Sequence, residues 1–145
     1  MTLWTVVRFL HVLSAMLWVG GQLTVSLVVL PLARRRLAAD QRGTMLSAIG
    51  RRFGHFTIAF FLPVQITTGV ALAWHKGVTW ASLAEPGYGR ILAAKLALFC
   101  VVMVAATMHG IVVSRGRPTL ARVLAVTSLV TSLGVVLLAT ALPAT

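Results

Sequence analysis

Four long apolar runs, separated by short stretches rich in arginine and glycine, constrain this chain more than any other feature. The runs cover about residues 3–32, 53–74, 89–114 and 119–142. Each reaches the roughly twenty residues that a helix needs to cross the hydrocarbon core of a bilayer. They are apolar on all sides, whereas membrane β-strands alternate with period two. The sequence therefore predicts an all-α membrane protein, an antiparallel bundle of four transmembrane helices, with residues 1–145 forming a single transmembrane domain.

The composition indicates that lipid is the main solvent of this surface. Of the 145 residues, 59% are hydrophobic and only 10% are charged, which lies outside the range of soluble domains. A net charge of +11 is also typical of nucleic-acid binding, but here the bases occupy the gaps between the apolar runs, where they set membrane topology. We therefore expect a lipid bilayer as partner and no nucleic acid. The first run lacks a small-residue cleavage site, so we interpret it as a retained helix.

The basic residues predict how the chain is oriented. Nine of the thirteen Lys and Arg residues lie in or beside the first and third links, and by the positive-inside rule these links are cytoplasmic. Both termini and the loop 75–88 then lie on the non-cytoplasmic side of a bacterial inner membrane, where Trp74, Trp80 and Tyr88 fit an aromatic belt. Within the first link, residues 37–49 are predicted to form a short interfacial helix. The nine bases are Arg34, Arg35, Arg36, Arg42, Arg51, Arg52, Arg115, Arg117 and Arg122.

Four ionisable side chains within the apolar runs are the candidates for chemistry: His11, His55, His109 and Lys95. Such side chains are costly at membrane depth and normally face the interior of a bundle. From the rise per residue and the antiparallel order of the helices, we expect His11 and Lys95 at an outer level and His55 and His109 at an inner one. The fourteen-residue step from Lys95 to His109 returns to within about 40° of the same direction. His75, at a helix end, is interpreted as an interfacial residue.

Haem b is the cofactor that this pattern favours, because a haem is held by nitrogen ligands on facing helices at matching depth. His11 is the first candidate ligand, with Trp18 on the same helix face, and His55 and His109 form a second candidate site. Lys95 is either a neighbour of the ligand or a candidate catalytic group, although its side chain could also extend outward as a topology anchor. Each histidine also has a simpler interpretation, as a hydrogen-bonded packing residue.

Copper is the alternative metal. Cu(I) prefers soft ligands, which Met16, Met103, Met108 and Cys100 could supply beside histidine. The chain has no acid within the membrane, no Ser/His/Asp set and no glycine-rich phosphate loop, so hydrolysis and a carboxylate proton relay are not expected.

A non-catalytic accessory subunit is the third hypothesis, with a homodimer or a larger membrane complex as the assembly. Small residues on the first and fourth helices permit close contact between backbones. Pro63 predicts a kink in the second helix. The small residues are Gly20, Gly21, Ser26, Ser128, Ser132 and Gly134.

The first run resembles the first helix of the copper-resistance CopD-like membrane proteins. It contains His11, then Trp18-Val19-Gly20-Gly21, then Pro31. The resemblance implies a proline that closes the helix and a role in copper transport or resistance.

The chain is also similar to the related HemJ-type protoporphyrinogen oxidases in size and four-helix plan. The similar stretches are Arg51-Arg52-Phe53 leading to Thr67-Thr68-Gly69, and Ala94-Lys95-Leu96 leading to Met108-His109. This resemblance implies a bound haem b, with functional roles for His11 and Lys95. After Trp18 the chain follows the CopD-like pattern instead.

Overall fold

The computed structural model describes residues 2–142, and every regular element in that part of the chain is helical. Four helices are long and apolar enough to cross a membrane. They are α1 (Leu3–Arg36), α2 (Ala39–His75), α3 (Tyr88–Ser114) and α4 (Pro118–Ala141). The predicted all-α fold with four membrane-spanning helices is confirmed, and the chain is a multi-pass membrane protein.

The chain divides after Gly77 into two compact units, each an antiparallel helical hairpin. The first hairpin contains α1 and α2, and the second contains α3 and α4. Each is described by itself below. The interpretation of the whole chain as a single domain stays a prediction.

The first two helices are longer than the apolar runs predicted. α1 has 34 residues and continues to Arg36 instead of ending near residue 32, and α2 has 37 residues and begins at Ala39 instead of near residue 53. At 1.5 Å per residue they are about 50 and 55 Å long, against a hydrocarbon core of about 30 Å. Both helices therefore extend well beyond the apolar layer. The link between them is Leu37 and Ala38, in extended conformations.

The stretch 37–49 is not a separate interfacial helix, because from Ala39 it runs without a break into the membrane-spanning part of α2. Gly43 and Gly50 lie within this part of the helix. Glycine costs only about 1 kcal/mol in a helix interior, whereas proline, which would break the backbone ladder, is absent there. Leu46, Ile49 and Phe53 are half-buried at helical spacing. A continuous packed face therefore outweighs the weak propensity of the glycines.

Each helix of the first hairpin contains one widened turn immediately before a proline. In α1 the turn covers Val25–Val29, where the Leu30 N–H bonds the Val25 carbonyl five residues back. In α2 it covers Thr57–Phe61, and the Leu62 N–H bonds the Thr57 carbonyl. Pro31 and Pro63 follow these turns by two residues. A proline ring clashes with the carbonyl four residues earlier, and a widened turn relieves this clash while the helix continues.

This arrangement explains two differences from the sequence-based expectations. Pro31 does not close the first helix, which continues for five residues beyond it to Arg36. At Pro63, where a kink was predicted, the structure has the widened turn Thr57–Phe61. In both cases the rest of the backbone ladder is kept, as a membrane-spanning helix requires.

A seam of small residues holds the second hairpin together. α4 contributes Ala121, Ser128 and Ser132, all buried, at spacings of seven and four residues. α3 contributes the buried Val102, Ala105 and Val112. Small side chains let two membrane helices approach closely. The prediction that Ser128 and Ser132 serve packing is thus confirmed within this hairpin.

The turn before α3 packs against the first turn of that helix. Ala81–Ala84 forms a short 3₁₀ turn. A Cβ atom added at Gly89 would lie 1.9 Å from the Ser82 carbonyl oxygen, which no side chain could tolerate without movement of the backbone. Glycine at position 89 is therefore required by this close approach.

Candidate functional site: a polar cluster around His11

A buried polar cluster connects the two helices of the first hairpin at His11. Its members are His11 and Ser14 from α1, and Gln65 and Thr68 from α2. The three-residue spacing on each helix places both members on one side of that helix, and the antiparallel pairing brings the two sides together. Ser14, Gln65 and Thr68 are 1%, 9% and 8% exposed. In this apolar protein, a shielded group of four polar side chains is the strongest candidate for a functional site.

Thr68 fixes which nitrogen of His11 carries the proton. The Thr68 hydroxyl donates its one hydrogen to the Val64 carbonyl on its own helix. The same Oγ1 lies 2.9 Å from His11 Nδ1, so it can only accept there. His11 Nδ1 therefore carries the hydrogen, and Nε2 of the neutral ring has the lone pair.

The contacts of Gln65 and Ser14 agree with this assignment. The Ser14 hydroxyl lies 2.6 Å from Gln65 Oε1 and donates to it. In this orientation the amide Nε2 faces His11 Nε2 at 3.1 Å. An amide NH₂ can only donate, so His11 Nε2 accepts. The contacts at both ring nitrogens are therefore consistent with a single tautomer, with the hydrogen on Nδ1.

A glycine makes room for the imidazole. A Cβ atom added at Gly69 would lie 3.2 Å from His11 Cε1 and 3.7 Å from Nδ1. The first distance is shorter than an ordinary van der Waals contact, so a larger residue would push the ring away from Thr68. Gly69 belongs to the stretch Thr67-Thr68-Gly69 that resembles the HemJ-type proteins, but the sequence analysis did not predict its contact with His11.

Trp18 lies one turn further along α1 from Ser14 and belongs to the packed interior of the hairpin. It is 2% exposed, and its ring stacks on Phe61 at 4.8 Å and on Phe53 at 6.0 Å between centroids. Its Nε1–H donates to Thr57 Oγ1 at 2.9 Å. Both the ring and the N–H have protein partners in this structure. Contact between Trp18 and a cofactor stays a prediction.

His109, in the second hairpin, has the same tautomer as His11. Its Nδ1 lies 2.8 Å from the backbone carbonyl oxygen of Ala121 on α4. A carbonyl oxygen can only accept, so Nδ1 carries the hydrogen and Nε2 of the neutral ring has the lone pair. Each hairpin therefore contains one membrane histidine whose Nδ1–H is held by an oxygen of the neighbouring helix.

The other two candidate residues have different surroundings. His55 is exposed on α2 and lines an open surface groove, while Lys95 is half-buried on α3. The predicted pairs, His11 with Lys95 and His55 with His109, each join residues of different hairpins. These pairings, and the matching depths on which they rest, stay predictions. Within residues 2–142, no group of three or more His, Cys, Asp and Glu residues is placed to hold a metal ion.

Met16, the soft candidate ligand for copper in the first hairpin, does not join the cluster. Met16 is 65% exposed on α1, five residues and so about 140° around the helix from His11. Cys100 and Met108 are also exposed. The cluster in the first hairpin offers nitrogen and oxygen atoms only, and it contains no soft sulfur ligand of the kind that Cu(I) prefers.

Gln65 and Thr68 are the members that the sequence analysis did not select. Attention to ionisable residues excluded them, because neither carries a charge. A usable signal was present: Thr57, Gln65 and Thr68 interrupt the second apolar run at helical spacing. Polar residues on one face of a membrane helix commonly mark the side that faces another helix.

A second contact between α1 and α2 lies at the open end of the hairpin. The rings of Trp4 and His75 stack with centroids 3.8 Å apart and an angle of 12° between their planes. This contact gives His75 a packing role at the end of α2. The interpretation of His75 as an interfacial residue agrees with its exposed position.

Comparison with known proteins gives one distant relative. A protein of Aquifex aeolicus (strain VF5), described only as an uncharacterized protein, is 29% identical over 103 residues. The aligned part is 71% of this chain and 65% of the relative, so the chain spans less than two thirds of that protein's length. No family model matches the chain. No solved structure matches it either.

Proposed function

We propose that this chain is a bacterial inner-membrane protein that binds haem b through His11 and serves electron transfer or another redox reaction. The observation that carries the proposal is the state of the imidazole: Nδ1–H is fixed by Thr68, and the lone pair is on Nε2. Histidines that bind metals usually donate the other ring N–H to an oxygen in this way, which fixes the ring and raises its basicity. The resemblance to HemJ-type proteins supports the same choice of cofactor.

His109 is the second ligand candidate for the same reason. Its Nδ1–H is held by the Ala121 carbonyl, and its Nε2 has the lone pair. His55 is a weaker candidate, because it lies on an exposed face of α2. His11 and His109 therefore rank above His55 as axial ligands.

Gln65 is the residue that must move for haem to bind at His11. Its amide now donates to Nε2, the atom that would bind iron. A neutral amide is a replaceable partner, and the Ser14 hydroxyl also lies 3.0 Å from the His11 carbonyl, which can accept its hydrogen when Gln65 turns away. His11 Nε2 would thus become available to a haem iron once the Gln65 side chain turns away. When bound, haem b supplies a one-electron iron couple whose potential depends on the axial ligand and its hydrogen bonds.

Optical spectra of the purified protein test this proposal. The protein is expressed with haem supplied, purified in detergent, and reduced-minus-oxidised spectra are recorded. A b-type α band is expected, and His11→Ala should abolish it or shift it strongly. His75→Ala is the matched control, because it removes an imidazole from the same hairpin at a helix end, and it should keep the band. Absence of the band in the native chain, or its full retention in His11→Ala, would contradict the proposal.

A second function, that of an accessory subunit without chemistry, is favoured by a different observation. Every buried polar side-chain atom among the described residues has a hydrogen-bond partner. A cluster that satisfies itself acts as a clamp between two membrane helices and needs no cofactor. Under this alternative, the protein co-purifies with a larger membrane complex and carries no haem. Copper found by metal analysis and lost in His11→Ala would favour the copper hypothesis instead.

The proposed topology has both termini on the non-cytoplasmic side. The nine bases of the first and third links support it through the positive-inside rule. The lengths of α1 and α2 add a consequence, because the part of this hairpin that extends beyond the hydrocarbon core carries six of the arginines. It would project on the cytoplasmic side.

A further inference from the structure

An open groove on the surface of α2 combines arginine side chains with an apolar wall. It has a volume of about 550 Å³ and is lined by Ala48, Arg51, Arg52, His55, Phe56 and Ala59. The two arginines, His55 and both alanines are exposed, and Phe56 is half-buried. The groove follows the helix for twelve residues, from Ala48 to Ala59, over about 16 Å. Towards the membrane-spanning part of α2, the side chains that line it change from cationic to apolar.

The groove lies where α2 enters the bilayer. Trp74, at the other end of this helix, is 82% exposed and is placed as an interfacial aromatic side chain. Counting back the roughly twenty residues that cross the hydrocarbon core leads to about residue 54. Arg51 and Arg52 then lie at the level of the lipid head groups, while Phe56 and Ala59 lie at the level of the acyl chains.

The one acidic residue of the first hairpin is too distant to neutralise these arginines. The whole chain has two acidic residues against thirteen Lys and Arg. One of the two, Asp40, lies eleven residues before Arg51 on the same helix, about 16 Å away along the axis. Arg51 Nη1 donates to the Ser47 hydroxyl at 2.9 Å, which brings no negative charge. The charge of the groove therefore calls for an anion from outside this hairpin.

We propose that this groove binds an anionic phospholipid. The phosphate lies against Arg51 and Arg52, with His55 at its lower edge, and the first part of an acyl chain follows Phe56 and Ala59. Arginine is the side chain best suited to phosphate, since its planar donors match the phosphate oxygens. A soluble anion would leave the apolar half of the groove uncovered, whereas a phospholipid covers both halves. This inference does not depend on haem binding at His11 or His109.

Native mass spectrometry with defined lipids tests the proposal. The full chain is reconstituted in nanodiscs of phosphatidylcholine and phosphatidylglycerol, and the lipids retained after release are counted. We expect preferential retention of phosphatidylglycerol. Arg51→Gln with Arg52→Gln should reduce it at least about fivefold, because each arginine near an anionic surface contributes about that factor. The matched control is Arg34→Gln with Arg35→Gln, which removes the same charge from the end of α1 and should leave the preference intact.

Two further measurements keep the proposal falsifiable. Ala59→Phe fills the apolar half of the groove without changing its charge, and it should also reduce retention of phosphatidylglycerol. Millimolar inorganic phosphate should not displace the lipid. An equal loss of phosphatidylglycerol retention in the two double arginine variants would show that net charge alone is responsible, and it would overturn the assignment. Displacement of the lipid by phosphate would also overturn it. So would equal retention of both lipids by the native chain.

Discussion

Replacing Thr68 by valine tests the hydrogen-bond assignment at the centre of the cluster. Valine keeps the shape and branching of threonine but has no hydroxyl. The Val64 carbonyl keeps its backbone partner within α2, so the main loss is the acceptor of the His11 Nδ1–H, 2.9 Å away. Thr68→Val therefore leaves one buried donor without a partner.

The size of the effect follows from two known costs. Hydrogen bonds between membrane helices contribute about 0.6 kcal/mol on average and up to about 1.7 kcal/mol. A buried donor left without a partner costs about 1–3 kcal/mol. We therefore expect Thr68→Val to lower the free energy of unfolding by about 1–2 kcal/mol.

The neighbouring residue provides a matched control. Thr67 is exposed, and its hydroxyl bonds only the Pro63 and Val64 carbonyls of its own helix. Thr67→Val makes the same chemical change one position away, at the same helix propensity, and should change stability by less than about 0.5 kcal/mol.

Unfolding in mixed detergent and dodecyl sulfate micelles, followed by circular dichroism, gives both values. The same measurement in a His11→Ala background completes a double-mutant cycle. There Thr68→Val should cost no more than Thr67→Val, because the donor is gone. Equal effects of the two substitutions in the native background would refute the assigned tautomer and the role of Thr68.

Two other predictions concern the second hairpin and the topology. Gly89→Ala should destabilise the protein by about 1–3 kcal/mol, because its Cβ would meet the Ser82 carbonyl oxygen at 1.9 Å. Gly110→Ala, which meets nothing within 4 Å, should be neutral or stabilising by up to about 1 kcal/mol, with thermal unfolding as the readout. For the topology, a cysteine placed at Ser47 in a Cys100→Ser background should react with a membrane-impermeant thiol reagent only from the cytoplasmic side. Labelling of that cysteine in intact cells would contradict the proposed orientation.

The sequence predicted the number and type of the spanning helices because hydrophobic length is a direct physical requirement of the bilayer. It did not predict the true ends of the first two helices. Arg34 and Arg42 suggested a loop. Charged residues, however, mark only the end of the apolar part of a helix, and the helical backbone continues through both of them. Pro31 was also expected to end the first helix. It does not, because the widened turn Val25–Val29 relieves the clash of its ring and the helix continues.

The candidate site was predicted in part, for a related reason. His11 was selected because an ionisable side chain is conspicuous in an apolar run. Its partners Gln65 and Thr68 lie more than fifty residues away along the chain, and no local pattern connects them to His11. Only the antiparallel register of α1 and α2 brings them together, and a register is set by packing along the whole hairpin.

Gln65 separates the two functions that the cluster could serve. If the cluster is a clamp, the donation from its amide to His11 Nε2 stabilises the hairpin, and Gln65→Leu should cost about 1 kcal/mol while nothing binds. If His11 is a haem ligand, the same amide competes with iron for the lone pair. Gln65→Leu should then raise the fraction of protein that carries haem, while His11→Ala removes it. Because Ser14 can donate to the His11 carbonyl in its place, the substitution leaves no buried hydroxyl without a partner. A loss of haem in Gln65→Leu as complete as in His11→Ala would show that Gln65 supports the bound cofactor instead of competing with it, and would overturn the displacement on which binding at His11 is proposed.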